Sequence, residues 1–495
     1  MTDQPTVTVD ASTAGPEPQL DQLRIDCILD NITKEFNEKF FVVEEYGGKC
    51  IVAWQEPDPD PQMKGRLRFE IQTFANFINR YIHRKFPVEI TRTGTRKDSA
   101  GKIWLEHPRR NQYLRVVFAP NMPPREFREA KRDAKIRNLW NGFSVTPKEG
   151  DCSLFLAHLR TVICRDHPLL YEYFLNWMAK AAQQPGERGH VALVFKGKKG
   201  SGKSLVVEYF GHLFGNHFLE LSQGSQVTGN FNSHLRDTCI LGVNEAFFAG
   251  DPRQVGPLKA LITDPMIAIE QKFVDVINVP NTLHFMVTTN EEWSIPATSD
   301  ERRFCYFEVS DEMVGDMHYF RQIIKERDNG GYAALLDMLL KRDISKFEPR
   351  NFPKTEGLRR QMSQSLSPVE SAWFECLVSG ALPVESPNLG SHVIEELRTL
   401  DGTAVMRSAV FIEWAARKNR RWTFGDEKVS NLLRESRRAS DSMGFKKEKV
   451  QLHGQRRNAW MIPTLVECRR RWNEKRFEHD WKLTPDETWE ANVVD

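Results

Sequence analysis

Cysteine is scarce and scattered in this chain of 495 residues: the eight stand at 27, 50, 152, 164, 239, 305, 376 and 468, no two closer than 12 residues. That spacing excludes CxxC pairs and the Cys/His clusters of structural zinc, and it reads as reduced thiols of a cytosolic compartment rather than a disulfide framework. Long apolar runs are missing as well. None approaches the ~18 residues that cross a bilayer, so no membrane role is expected. The opening segment MTDQPTVTVDASTAGPEPQ is polar and acidic, which excludes a secretory or transit peptide. No internal repeat is visible, which argues against a solenoid.

Net charge is small too, with 69 Lys+Arg against 67 Asp+Glu. The balance conceals an uneven distribution. Residues 1–30 hold six acids and one Arg, and residues 477–495 hold six acids and one Lys. Residues 398–476 hold 20 Lys/Arg against nine Asp/Glu. A basic block of that size is either an electrostatic footprint for phosphates or a solvated helical face.

What is present suffices for several cores: 40% hydrophobic and 11% aromatic residues, in a length that suggests about three domains. Residues 1–20 read as a disordered tail and 21–148 as an N-terminal α+β accessory domain. Within the latter, Phe40–Val43 and Cys50–Trp54 flank Tyr46-Gly47-Gly48 as a hairpin, residues 66–84 carry a helical stripe, and Tyr113–Phe118 reads as a strand. Residues 149–186 contain two helices that end at Pro185-Gly186. Residues 187–345 alternate strands with helices, as an α/β nucleotide-binding core does. Residues 346–367 read as a polar linker, 368–476 as a basic domain and 477–495 as an acidic tail. In the basic domain, helical stretches precede FKKEKVQLHGQRRNAWMIP, a hairpin with Arg456 and Arg457 near its turn. That pattern is winged-helix-like, and those arginines are candidate DNA contacts.

The most specific chemistry lies at Gly197–Ser204, GKKGSGKS, which fits GxxxxGK[ST] throughout. An apolar strand (VALVF, 191–195) precedes it and an apolar helical stretch (205–214) follows, the order a phosphate-binding loop requires. Gly197, Gly200 and Gly202 let backbone N–H groups of the loop, with Lys198, Lys199 and Ser201, turn onto phosphates. Lys203 is expected to reach the β- and γ-phosphates of ATP, and Ser204 to ligate Mg²⁺.

A second apolar strand, CILGV, ends in Asn244-Glu245. Glu245 suits the base that activates water. Asn244 stands where an aspartate supporting Mg²⁺ is usual, and an amide carries no charge. The third strand, TLHFMVTT, ends in Asn290, an amide suited to holding the attacking water. Arg302 and Arg303 follow in DERRF. Either suits an arginine finger that a neighbouring subunit inserts, or the ERR segment, acid and arginine together, is an ordinary surface salt-bridge pair; the sequence does not separate Arg302 from Arg303.

In this order and spacing, with Lys203 42 residues before Glu245 and 87 before Asn290, the motifs resemble the superfamily 3 helicase module of phage and plasmid primase-helicase proteins. LKALITDPMIAIEQKFVDVINVPN, WLEHPRRNQY and LWNGFSVTPKEGDC look like that family as well, so the likeness covers roughly residues 40 to 310. It implies an AAA+ ATPase core after a helical collar, a hexameric ring, hydrolysis of ATP between subunits, and movement on single-stranded or forked DNA. Replication proteins of the same element would be partners, in the cytoplasm of a bacterial host. Ile267–Gln271 and Val274–Val279 read as a hairpin with Lys272 and Phe273 at its tip, a cation and a ring suited to DNA in a ring pore. Superfamily 3 proteins carry a DNA-gripping hairpin at the matching place.

Two alternatives to a helicase stay open. One is a bifunctional primase-helicase. Asp58-Pro59-Asp60 is a DxD, but its prolines argue against the rigid strand of a two-metal site. The other is an ATP-gated DNA-binding scaffold that hydrolyses slowly because of Asn244.

Overall fold

The computed structural model describes residues 17–59, 66–91, 94–222, 224–229, 231–244, 252–271, 275–291, 301–385, 399–400, 403–407, 411, 414, 445–452, 455–481 and 489–494. No helix among them is long and apolar enough to cross a membrane. All eight cysteines are free.

The N-terminal unit opens with α1 (Glu17–Asn37), so residues 17–20 belong to a helix rather than to a tail. β1 (Phe40–Tyr46) and β2 (Lys49–Pro57) form the expected hairpin, with Tyr46 opposite Lys49. The two-residue turn needs positive φ at both positions, which Gly47 (53°) and Gly48 (72°) supply. Alternation along β1 serves two cores at once. Phe40 and Val42 face Trp54, Phe77 and Trp104, whereas Phe41 and Val43 join the main core.

The helical stripe expected over 66–84 is instead a strand and a short helix, β3 (Leu67–Gln72) and α2 (Phe74–Arg80). Leu67, Phe69 and Ile71 alternate with Arg68, Glu70 and Gln72 against β2, and the Thr73 hydroxyl caps the helix start. A hairpin of β4 (Lys85–Thr91) and β5 (Gly94–Ser99) and helix α3 (Ala100–Glu106) follow. The expected Tyr113–Phe118 strand breaks at Leu114 into β6 (Gln112–Tyr113) and β7 (Arg115–Val117). These enter different sheets, β3-β2-β1-β6 and, with β8 (Glu126–Glu129) and β9 (Ala134–Asn138), β7-β9-β8.

Helix α4 (Ser153–His158) runs into a π-helical turn (Leu159–Ile163), and α5 (Pro168–Gln183) follows. The core sheet comprises β10 (Ala192–Lys196), β11 (Phe218–Leu221), β12 (Ile240–Asn244), β15 (His284–Thr289) and β16 (Phe304–Glu308). It is wholly parallel in the order β11-β12-β15-β10-β16. Its strands are near-continuous apolar runs because helices cover both faces. α6 (Lys203–His212), α7 (Gly224–Thr228), α8 (Pro252–Thr263), α9 (Met317–Glu326) and α10 (Tyr332–Lys341) complete the layer. Between α8 and β15 the antiparallel pair β13 (Met266–Ile269) and β14 (Ile277–Pro280) forms the arms of the expected hairpin.

The N-terminal unit grips this core just before β12. Arg66 Nη2 donates to Asp237 Oδ1 at 2.7 Å, Thr238 Oγ1 at 2.8 Å and His234 O at 2.9 Å, with both members of the ion pair buried. Beside it Arg236 donates to Tyr46 Oη at 2.7 Å and lies over the Phe69 ring.

The stretch expected as a linker contains α11 (Glu356–Gln364), capped by Thr355 and packed through Gly357 and Leu358 beside β16. In the C-terminal unit α12 (Pro368–Ser379) starts with a Ser367/Glu370 capping box and ends at Gly380 (φ 71°). Strands β17 (Ala381–Glu385), β18 (Thr399–Leu400), β19 (Thr403–Arg407), β20 (Lys446–Leu452) and β21 (Gln455–Ile462) and helix α13 (Leu465–Lys475) follow. β20 and β21 are the expected hairpin. The two helices expected before it lie outside the described residues, apart from Phe411 and Trp414. In the acidic stretch 477–495, Phe477 and Trp489 are buried, and β22 (Glu490–Val494) pairs with β17. That stretch is therefore built into the unit rather than hanging from it.

Candidate nucleotide site

β10 lies between β15 and the edge strand β16 of the parallel sheet, and the loop Gly197–Gly202 turns from its C-terminal end into α6. Such a turn needs left-handed backbone, found at Gly200 (φ 83°) and Gly202 (φ 90°). Space also dictates glycine at 202. A Cβ there would lie 2.6 Å from His158 Nε2 and 2.8 Å from Phe320 Cε1. The loop therefore rests directly on a histidine from α4 and a ring from α9.

Lys203 opens α6 and is buried. Its Nζ donates to Gly197 O at 2.6 Å, Lys198 O at 2.7 Å and Asn290 Oδ1 at 3.1 Å. The loop, the helix start and the tip of β15 are thus joined by one ammonium group. Ser204 is exposed in the adjoining cavity of about 580 Å³. That cavity is bounded by Lys199–Leu205, Ser222, Asn244, Thr288–Asn290, Met317 and Phe320. The volume falls in the range of small-molecule sites, and the start of α6 adds its partial positive charge.

Asn244 ends β12 with both polar atoms engaged. Its Nδ2 donates to Glu220 Oε1 at 2.7 Å, and its Oδ1 accepts from Thr288 Oγ1 at 2.9 Å. Lys198 points away from the cavity and pairs with Asp311 at 2.8 Å. Glu245 lies outside the described residues, as do Lys272 and Phe273, the residues expected at the hairpin tip.

Arg302 and Arg303 precede β16, at the edge of the sheet opposite the loop. With Ala192 opposite Phe304 and Lys196 opposite Glu308, the length of β10 separates them from the loop, roughly 15 Å at strand rise. Neither arginine serves the loop of its own chain. The buried Glu301 carboxylate accepts from both backbone N–H groups, at 3.0 Å from Arg302 and 2.6 Å from Arg303, and so shapes the turn. Arg302 is exposed, whereas Arg303 is half-buried.

Sequence reading missed four contributors. His158 and Phe320 come from helices with no motif. His158 is fully buried, its Nδ1 is 3.1 Å from Tyr319 Oη, and burial pushes its pKa down to about 4, so the ring is neutral. Met317, at the start of α9, is 62% exposed although it borders the cavity. Glu220 alone left a trace, as an acid within the apolar strand FLEL.

The basic C-terminal block is partly self-neutralised. Arg470 and Arg471 pair with Glu467, and Arg476 pairs with Glu370. Arg469 is buried and donates to Leu377 O. Lys446, Lys449 and Arg456 on the β20–β21 hairpin are exposed, and the Arg457 side chain lies outside the described residues. Asp58 follows β2, whereas Asp60 of the DxD lies outside them. No His/Cys/Asp/Glu group able to hold a metal occurs among the described residues.

Three comparisons bear on this site. A family model described as a family of unknown function (DUF5906) matches residues 195–303, from the end of β10 to the Arg302–Arg303 turn. The DNA primase-polymerase of Nitratiruptor phage NrS-1 is 26% identical over 215 residues, which are 41% of this chain and 30% of that protein. The chain thus matches less than a third of that relative's length. Among solved structures, the apo structure of the NrS-1 C terminal region (305–718) aligns at TM-score 0.57 and 16% identity, covering 87% of this chain and 98% of that one. The A form apo structure of the same region aligns at 0.55 and 17% identity, with the same coverage. The chain is related in sequence to the phage NrS-1 primase-polymerase, and it shares the fold of that protein's C-terminal region.

Proposed function

We propose that this chain is an ATP-driven DNA motor of a phage replication system, one in which unwinding and primer synthesis act together. The observation that carries the reading is Lys203, held at the start of α6 between the carbonyls of a glycine-rich loop and Asn290. The strand order supports an AAA+-type core of the superfamily 3 kind, because the loop strand β10 stands between β15 and β16 with β12 and β11 beyond.

In this reading the backbone N–H groups of Gly197–Gly202 and the Lys203 ammonium bind the triphosphate of ATP. Ser204 and Asn244 offer the hard oxygen donors that Mg²⁺ takes, and the ion when bound neutralises phosphate charge. Glu245 accepts the proton of the attacking water, and Asn290 orients that water. Because Arg302 lies across the sheet from its own loop, it acts on a neighbour's site, which calls for a ring such as a hexamer. The β13–β14 hairpin, with Lys272 and Phe273 at its tip, and the exposed β20–β21 cations meet single-stranded or forked DNA.

The test is DNA-stimulated ATP hydrolysis and unwinding of tailed duplexes by the wild type and Lys203→Ala. The variant is expected to lose both; unwinding by it overturns the reading.

A second reading, primer synthesis by this chain itself, draws on the name of the NrS-1 relative. Template-dependent nucleotide incorporation by Lys203→Ala would establish it independently of the motor.

A further inference from the structure

The phosphate-binding arrangement lacks a carboxylate at Asn244, yet a carboxylate is bonded to that very amide from the next strand. Glu220 lies on β11, in register with Gly242 of β12. From there its Oε1 accepts from Asn244 Nδ2 at 2.7 Å. Across the sheet Thr288, the register partner of Asn244 on β15, donates its hydroxyl to Asn244 Oδ1 at 2.9 Å.

These two contacts dictate how the amide faces. An ionised carboxylate only accepts, so the amide nitrogen must point to Glu220. The oxygen must then point to Thr288, and a carbonyl oxygen keeps a second lone pair beyond one accepted bond. Asn244 and Thr288 border the cavity that Ser204 enters, and Glu220 stands one side chain behind them. Glu220 and Asn244 are both half-buried, and hydrogen bonds in series polarise one another. The Glu220 charge therefore draws positive character toward Nδ2 and leaves Oδ1 a stronger donor to a cation.

We propose that Glu220 supplies, through the Asn244 amide, the negative charge that the end of β12 lacks, and so supports the Mg²⁺ of a bound nucleoside triphosphate. Glu220 is thus a positioning residue, with Asn244 as the group that faces the cavity. The proposal rests on the triphosphate reading above. In this arrangement the charge is kept but moved one strand outward.

The test uses the full chain and a fluorescent, non-hydrolysable ATP analogue, titrated with and without Mg²⁺. Glu220→Gln is expected to raise the Mg²⁺ concentration that half-maximally tightens analogue binding by about tenfold, as loss of one nearby charge in a partly buried site does. Its metal-free binding should be unchanged. Adding Asn244→Asp to Glu220→Gln should restore the Mg²⁺ response, because the glutamine amide introduced on β11 then donates to the carboxylate introduced at the end of β12. If the wild type does not bind the analogue, the triphosphate reading fails. If the wild type binds with a Mg²⁺ response that Glu220→Gln leaves unaltered, only the Glu220 proposal fails. Should Glu220→Gln alone misfold, the double variant decides: a wild-type Mg²⁺ response supports the proposal, and its loss in a natively folded protein overturns it.

Discussion

Lys203 Nζ donates to Asn290 Oδ1 at 3.1 Å, a bond that joins the start of α6 to the tip of β15 across 87 residues of sequence. Asn290 is exposed at the cavity, so its amide is available both to the ammonium and to a ligand. Asn290→Ala is expected to lower kcat for ATP hydrolysis by about 10²-fold, the scale of losing one preorganised polar group, with a smaller change in KM. Steady-state kinetics check this; an unchanged kcat removes Asn290 from the machinery.

Gly202→Ala meets two obstacles, a left-handed φ of 90° and His158 Nε2 at 2.6 Å. The loop must shift, and nucleotide affinity should fall by at least about tenfold, equivalent to ~1.4 kcal/mol. Combining it with His158→Ala should restore only part of that loss, since the Phe320 ring is still 2.8 Å away. Full recovery in the double variant would show that backbone conformation and Phe320 contribute nothing.

Three buried histidines, His158, His217 and His284, are each held near a pKa of about 4 by burial. In His217 the neutral form is also bonded on both sides, accepting from Asn141 N–H at Nε2 and facing Asp237 O at Nδ1, each at 2.9 Å. In the unfolded chain these rings take up protons near pH 6.5, so the unfolded state binds more protons below that pH. Stability is therefore present above about pH 6.5 and is lost as pH falls toward 4, by about 2–3 kcal/mol for each ring. The urea midpoint should drop between pH 7 and pH 5, and His217→Gln should flatten part of that slope. A midpoint independent of pH in the wild type rules the account out.

Exposure separates the two arginines that the sequence left equivalent. Arg302→Ala is expected to lower DNA-stimulated ATP hydrolysis by about 10³-fold, the scale of an arginine finger, and Arg303→Ala mainly to lower thermal stability. Mixing Arg302→Ala with Lys203→Ala should recover activity, because a mixed interface can pair an intact loop with an intact finger. No recovery on mixing, with both variants assembled, counts against a site shared between subunits.

The loop was legible in the sequence because its constraints are local: three glycines, a lysine, a strand before and a helix after. The hairpins were legible for the same reason, as Gly47-Gly48 and the alternating β13 and β14 arms show. β3 was not, because Leu67, Phe69, Ile71, Phe74 and Phe77 satisfy a helical count until Thr73 is recognised as a cap. α11 was hidden by charged composition, although Leu358 and Met362 sit one helical turn apart and are buried. His158 and Glu220 escaped for a different reason. Each acquires its role only when the fold brings it to a residue 44 or 24 positions away, Gly202 or Asn244.

Tyr46 accepts from Arg236 and donates to Gln271 Oε1 at 3.2 Å, while Asn232 bonds Ala268 O and Glu270 N, each at 2.9 Å. The turn-ward end of the β13 arm is thereby pinned both to the segment leading into β12 and to the N-terminal sheet. Any displacement of that arm has to carry the N-terminal unit with it or break these bonds. The nucleotide-side strand β12, the hairpin arm and the N-terminal sheet are therefore coupled through one set of side chains, so strain applied to any one of them is felt by the other two.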